Sequence, residues 1–177
     1  NTFTLNLLNT TTMAKDSVIT ITYKAQINEK SITNEANINE ADLYYGNNTK
    51  VEGIPTKTYT YGFEIHKTDG TTNLEGATFK LYNALTGGTE IKVVLVNTQN
   101  GVNYYRVATK AEENSAVEIT AGKAVVDGLA TGDYYLEETL APEGYNKLAS
   151  RVKVTVSTTN DGFAYQDTEI INTTGTV

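Results

Sequence analysis

No cysteine occurs in the 177 residues, so neither a disulfide nor a thiolate metal site is available. Histidine is down to one, His66, which rules out zinc sites built from several imidazoles and leaves a Ser-His-Asp triad a single candidate base. His66 lies between Ile65 and Lys67 in an alternating run, so its side chain is set opposite to theirs and toward solvent. Basic residues are scarce and scattered: 14 lysines and arginines stand against 21 aspartates and glutamates, for a net charge of −7. A nucleic-acid binder needs a basic stripe to displace phosphate counterions, and an anionic lipid surface attracts basic segments; the composition argues against both. No apolar run approaches the ~20 residues that span a bilayer. Asn1-Thr2-Phe3-Thr4 has neither the basic nor the apolar region of a signal peptide, so targeting signals are expected outside this stretch. A phosphate-binding loop is missing too, since Gly87-Gly88 reads simply as a turn.

What is present points to strands. The hydrophobic share is 39 %, with 12 tyrosines, abundant threonine and valine, 2 prolines and 1 methionine. β-Branched and aromatic side chains pack well on a pleated surface. From residue 58 onward, short strands are expected at 58–67, 77–82, 92–96, 103–108, 116–119, 123–126, 132–139, 151–157, 162–165 and 168–172. Asp69-Gly70, Asn100-Gly101, Asp127-Gly128, Thr131-Gly132-Asp133 and Asp161-Gly162 punctuate them as turns. Helical periodicity is confined to a weak stretch at 109–114. Many short strands at this spacing mean an all-β sandwich or barrel.

Before this block, residues 1–48 hold three expected strands at 2–8, 17–27 and 38–45; Ile19, Ile21 and Tyr23 alternate against Val18 and Thr20. Three strands are too few for a sandwich of their own, so the segment reads as the C-terminal part of a domain that begins upstream, or as strands needing a partner chain. Residues 49–57 are poor in apolar side chains and rich in turn formers, and are expected to be a linker. A complete domain then occupies 58–177.

Three polar residues stand on apolar faces. Alternation puts Phe63, Ile65 and Lys67 on one side of their strand, so Lys67 points into the core, where desolvation favours the neutral, nucleophilic amine. Tyr134, Leu136 and Glu138 share a face, with Tyr135, Glu137 and Thr139 on the other. Glu138 is therefore the inward carboxyl, and apolar surroundings favour a carboxyl's protonated form. At the C-terminal end Ile170 and Asn172 share a face, which presents the Asn172 carboxamide to a neighbouring strand. Read singly, these are a surface lysine, a turn-flanking glutamate and a loop asparagine; read together, they are a buried amine, acid and amide.

The second block resembles a CnaB-type (Ig-like) domain of Gram-positive sortase-assembled pilins. The resemblance rests on Lys67 before Thr68-Asp69, the run Leu74-Glu75-Gly76-Ala77-Thr78-Phe79-Lys80-Leu81, and Ile171-Asn172-Thr173. Tyr134-Tyr135-Leu136-Glu137-Glu138-Thr139-Leu140-Ala141-Pro142-Glu143-Gly144-Tyr145 is similar to the pilin E-box, with Glu138 on its glutamate. The resemblance implies that Lys67 and Asn172 condense into an intramolecular isopeptide bond with loss of ammonia, promoted by Glu138, and that no cofactor takes part. It further implies an extracellular, cell-wall-anchored pilus subunit, most simply a backbone pilin. Its partners would be other pilin subunits, through sortase-made links, and host surface or matrix proteins. Asn39 within Asn39-Glu40-Ala41-Asp42-Leu43-Tyr44-Tyr45-Gly46-Asn47, preceded by Ala25-Gln26-Ile27-Asn28-Glu29-Lys30, resembles the closing strand of a penultimate pilin domain. That makes Asn39 a candidate second acceptor whose lysine lies outside this chain; the alternative is that Asn39 merely begins an edge strand. The lysine motif used by sortase to join subunits and the LPXTG sorting signal are absent, so the chain is expected to be part of a longer subunit.

Two other classes of function compete. An ancillary pilin or the stalk of a cell-wall adhesin would use the domain as a spacer. A carbohydrate-binding or hydrolytic module would draw on the tyrosines and acids, but a glycosidase needs two facing carboxyls, and Glu137 and Glu138 face opposite ways.

Overall fold

The structure, a computed structural model, describes residues 2–7, 12–25, 35–158 and 165–175. Most of the strand expected at 162–165, the Asp161-Gly162 turn and the run 26–30 lie outside the described residues.

The N-terminal block departs from expectation. Residues 2–7 and 17–25 carry no strand, and Val18, Ile19, Ile21 and Tyr23 are largely exposed. Alternation marks a strand only where the run pairs into a sheet; Tyr23 meets the Phe3 ring and Asn39, but among the described residues the run pairs with no strand. Instead β1 (Asn37–Asn39) and β2 (Asp42–Tyr45) are followed by β3 (Thr49–Glu52) and β4 (Thr56–Thr58). β3 pairs antiparallel with β2, and β4 with β1, so one hairpin is nested inside the other. Residues 49–57, expected as a linker, thus supply two strands. Gly53 sits where the two ladders join; a Cβ there would come within 2.1 Å of the Ala41 carbonyl oxygen.

From Tyr61 the chain builds two sheets. One is β14 (Gln166–Ile171), β5 (Tyr61–Thr68), β11 (Lys123–Leu129), β9 (Val102–Val107) and β8 (Val93–Gln99), in that spatial order. The other runs β10 (Ile119–Ala121), β6 (Ala77–Tyr82), β12 (Gly132–Leu140) and β13 (Val152–Val156), with β7 (Glu90–Ile91) also on β6. Most neighbours are antiparallel, but β14 runs parallel to β5, and β9 to β11. Neither sheet closes into a barrel. The weak helical signal at 109–114 becomes a single 3-10 turn at Glu113–Ser115, preceded by a bidentate Arg106–Glu112 ion pair. No helix among the described residues is long and apolar enough to cross a membrane.

The inner faces close on each other over Phe63, Ile65, Phe79, Leu81, Ile119, Val126, Leu136, Val154 and Ile170, each at most 2 % exposed. The burial pattern of β6, alternating buried and half-buried, is the period of two that a sheet with one covered face requires. At Gly62 the backbone of β11 approaches so closely that a Cβ would lie 2.5 Å from the Val126 carbonyl oxygen and 2.5 Å from the Asp127 carboxylate. The register of β11 against β5 shifts just beyond, between Val126 and Leu129. Because a backbone atom cannot swing aside, Gly62→Ala is expected to lower stability by about 1–3 kcal/mol, read as a reduced denaturant midpoint with unchanged m-value.

Candidate functional site

Lys67, Glu138 and Asn172 come from three strands or strand ends and meet inside the sandwich. Lys67 and Asn172 are fully buried and Glu138 is 1 % exposed. Each is inward because its neighbours at ±2 are apolar: Ile65 before Lys67, Leu136 before Glu138, Ile170 before Asn172. The parallel β5–β14 register sets Lys67 opposite Ile170, two residues from the asparagine. Glu138 lies across from Phe79 on β6. Glu137, on the outer face, pairs with Arg151 at 2.9 Å.

The hydrogen bonds give the site its order. Lys67 Nζ donates to the carbonyl oxygens of Ile170 at 2.8 Å and Thr68 at 3.2 Å. Asn172 Nδ2 donates to Glu138 Oε2 at 2.9 Å and to the Asn146 carbonyl at 2.6 Å. The Leu148 N–H also donates to Glu138 Oε2, at 2.8 Å. Glu138 Oε1 and Asn172 Oδ1 are buried without a hydrogen-bond partner among the described residues. Burial pushes the Lys67 amine below the ordinary lysine range, with the Glu138 and Asp69 carboxylates acting the other way. Desolvation wins because the Lys67 side chain is fully buried.

A segment the sequence did not single out as part of the site closes it. Residues 141–148 leave β12 through a turn in which the Tyr145 N–H donates to the Pro142 carbonyl at 3.1 Å and Gly144 takes a positive φ of 83°. Tyr145 Oη donates to Asp69 Oδ2 at 3.0 Å, tying the segment to the turn just after Lys67. The Asn146 N–H donates to the Thr173 carbonyl at 3.0 Å, and its own carbonyl holds the Asn172 amide. Backbone groups make two of these contacts, so residue types carry no signal for them; Tyr145 and Asp69 were visible only as a motif tyrosine and a turn aspartate. A cleft of about 250 Å³ opens beside this place, lined by Asp69, Thr71, Tyr145, Asn172, Thr173 and Thr174.

The remaining candidates sit elsewhere. His66 is half-buried on the outer face, with Nδ1 3.8 Å from Asp167 Oδ1. Asn39 is exposed at the end of β1, and its Oδ1 accepts a hydrogen bond from the Tyr23 hydroxyl. Among the described residues no three His, Asp or Glu side chains gather as metal ligands.

Comparison with known proteins places the fold. No curated protein sequence matches the chain. The 35 kDa C-terminal fragment of the major pilin GBS80 of Streptococcus agalactiae superposes with a TM-score of 0.60 at 23 % identity, covering 83 % of this chain and 57 % of that one. The full-length major pilin RrgB of Streptococcus pneumoniae gives 0.51 at 22 % identity, covering 83 % and 38 %. The pilus 2b backbone protein of group B streptococcus gives 0.50 at 28 % identity, covering 79 % and 50 %. The chain therefore spans roughly two fifths to somewhat more than half of these structures. A family model described as SpaA, prealbumin-like fold domain, matches residues 61–170, which include β5 to β13 and all but the last residue of β14. With well over half of its length inside that match, the chain belongs to the SpaA prealbumin-like domain family.

Proposed function

We propose that this chain is part of a structural subunit, a backbone pilin, of a covalent surface pilus of a Gram-positive bacterium, and that its CnaB-type domain locks itself with a Lys67–Asn172 isopeptide bond promoted by Glu138. The observation that carries the reading is the burial of an amine, a carboxyl and a carboxamide together in an otherwise apolar core. Three such groups cost stability unless they are mutually satisfied or react. Likeness to the pilus 2b backbone protein supports the backbone assignment. Extracellular placement, cell-wall anchoring, and sortase-made links to other subunits follow from the same reading.

The contacts suit the chemistry. Asn172 Nδ2–H already donates to Glu138 Oε2, which is half of the two-point pairing that an acid and an amide form. The other half is a proton on Glu138 Oε1 donated to Asn172 Oδ1, and it would satisfy both orphaned oxygens at once. That proton polarises the carbonyl and stabilises the oxyanion that develops on attack. Neutral Lys67, with two N–H groups held by backbone carbonyls, retains a lone pair for the Asn172 Cγ. The Nζ–Cγ bond forms and the Cγ–Nδ2 bond breaks. One Nζ proton passes by way of Glu138 to Nδ2, which leaves as ammonia. The enclosed core supplies the effective molarity that lets an amide react without an external energy source. Each domain turns over once, so it is no enzyme acting on an outside substrate.

Intact mass tests the reading. Folded wild-type protein is expected to weigh one ammonia, about 17 Da, less than its sequence, since the displaced nitrogen leaves with the attacking lysine's proton. A native protein at full sequence mass would overturn the cross-link.

A further inference from the structure

The 141–148 segment touches every element of the site. Tyr145 is bonded to the turn that follows Lys67, the Asn146 carbonyl holds the Asn172 amide, and the Leu148 N–H holds Glu138. We propose that Tyr145, fixed by Asp69, is the positioning residue of the condensation: it sets the Asn146 carbonyl so that the Asn172 carboxamide presents its Cγ to Lys67. This rests on the cross-linking reading above and names the part that aligns its reactants.

Asp69 is itself over-determined. Its Oδ1 accepts the N–H groups of Thr71 and Thr72, at 2.9 and 2.7 Å, while Oδ2 accepts the Thr72 and Tyr145 hydroxyls, at 2.8 and 3.0 Å. Those four donors keep its carboxyl ionised, the Thr72 N–H first among them. Tyr145 thus reaches a fixed anchor two residues beyond Lys67, one that shares no hydrogen bond with Lys67, Glu138 or Asn172, although its charge acts on the Lys67 amine. Without that anchor the Asn172 carboxamide depends on Glu138 Oε2 and on an Asn146 carbonyl held by the Asn146–Thr173 bond and, two residues on, by the Leu148 N–H on Glu138 itself. A carboxamide turned by a fraction of an ångström or some tens of degrees still packs, but no longer faces the amine in line.

The test is the rate of mass loss. Protein made by cell-free synthesis is sampled over time, quenched in acid denaturant and weighed. Tyr145→Phe, which keeps the ring and removes the hydroxyl, is expected to slow ammonia loss by roughly 10- to 100-fold while leaving the shape of the pH–rate profile unchanged, since Lys67 and Glu138 are untouched. Asp69→Asn can keep the tie with the bond reversed, amide N–H to phenol oxygen, and is expected to stay within about threefold of wild type, whereas Asp69→Ala falls with Tyr145→Phe. The two Asp69 variants decide the matter if Tyr145→Phe does not fold. A lowered melting temperature with a wild-type rate would overturn the proposal, because Tyr145 would then only hold the segment down. An altered pH profile in Tyr145→Phe would also overturn it, by making Tyr145 a proton donor; the Asp69 variants are compared by rate alone, because they also remove a charge that acts on Lys67. Wild type that loses no mass at all would instead sink the cross-link, a result distinct from a slow variant beside a fast parent.

Discussion

A Glu138→Ala protein is expected to keep its full sequence mass and to melt on the order of 14–24 °C below wild type. Lys67 and Asn172 close a loop of about 100 residues, and the chain-entropy model for cross-links assigns such a loop ~4.7 kcal/mol. A domain of this size shifts its melting point by roughly 3–5 °C per kcal/mol, which gives that range. Some of the loss has another origin, because alanine also removes the acceptor of the Asn172 and Leu148 N–H groups. Asn172→Ala separates the two: it too lacks the bond but keeps Glu138. Calorimetry and intact mass on both variants decide between the causes. Two equal melting points attribute the effect to the cross-link, a much lower one for Glu138→Ala attributes it to the stranded Asn172 and Leu148 N–H groups, and a wild-type melting point for both removes the lock from the stability of the fold.

Phe79→Ala is expected to cost about 3–5 kcal/mol, a large fraction of the 5–15 kcal/mol that holds a typical domain together. Phe79 is fully buried and lies between Ile119 on one side and Glu138 on the other in the register of its sheet. Removing the ring opens a cavity beside the Glu138 carboxyl, and a cavity lined with polar groups fills with water, unlike an apolar one. Water there weakens the desolvation that pushes the Lys67 amine down, so the proposed cross-linking should fall along with stability. Phe79→Leu, which restores most of the volume, should recover both. Urea unfolding and the fraction of protein lacking one ammonia are the two measurements. A loss under about 1 kcal/mol would mean that the sheets close over the gap.

The sandwich was legible because a sheet with one covered face writes its burial into every second residue. The strand expected at 77–82 is β6 to the residue, and 132–139 falls one short of β12. The same arithmetic put Lys67, Glu138 and Asn172 inward and Glu137 outward, where Arg151 meets it. It failed at 17–25, where the pattern is as regular as in β5 but the run pairs with no strand among the described residues, and Ile19 and Ile21 stay exposed. At 49–57 it failed the other way, since short strands rich in threonine and lysine carry no apolar face to betray them and are held by pairing alone. The segment over the site was hidden for a different reason: Asn146 and Leu148 act through backbone groups that every residue possesses.

The parallel pairing of β14 with β5 also governs when the domain matures. The strand that opens the domain must wait for the one that ends it, so the defining contact is among the most distant in sequence and among the slowest to form. If that contact also brings the reacting groups together, the covalent tie can trap only a chain whose topology is already complete. Two molecules of identical sequence would then differ by age: a young one, folded but reversible, which proteases can still catch when it opens, and an older one that no longer comes apart.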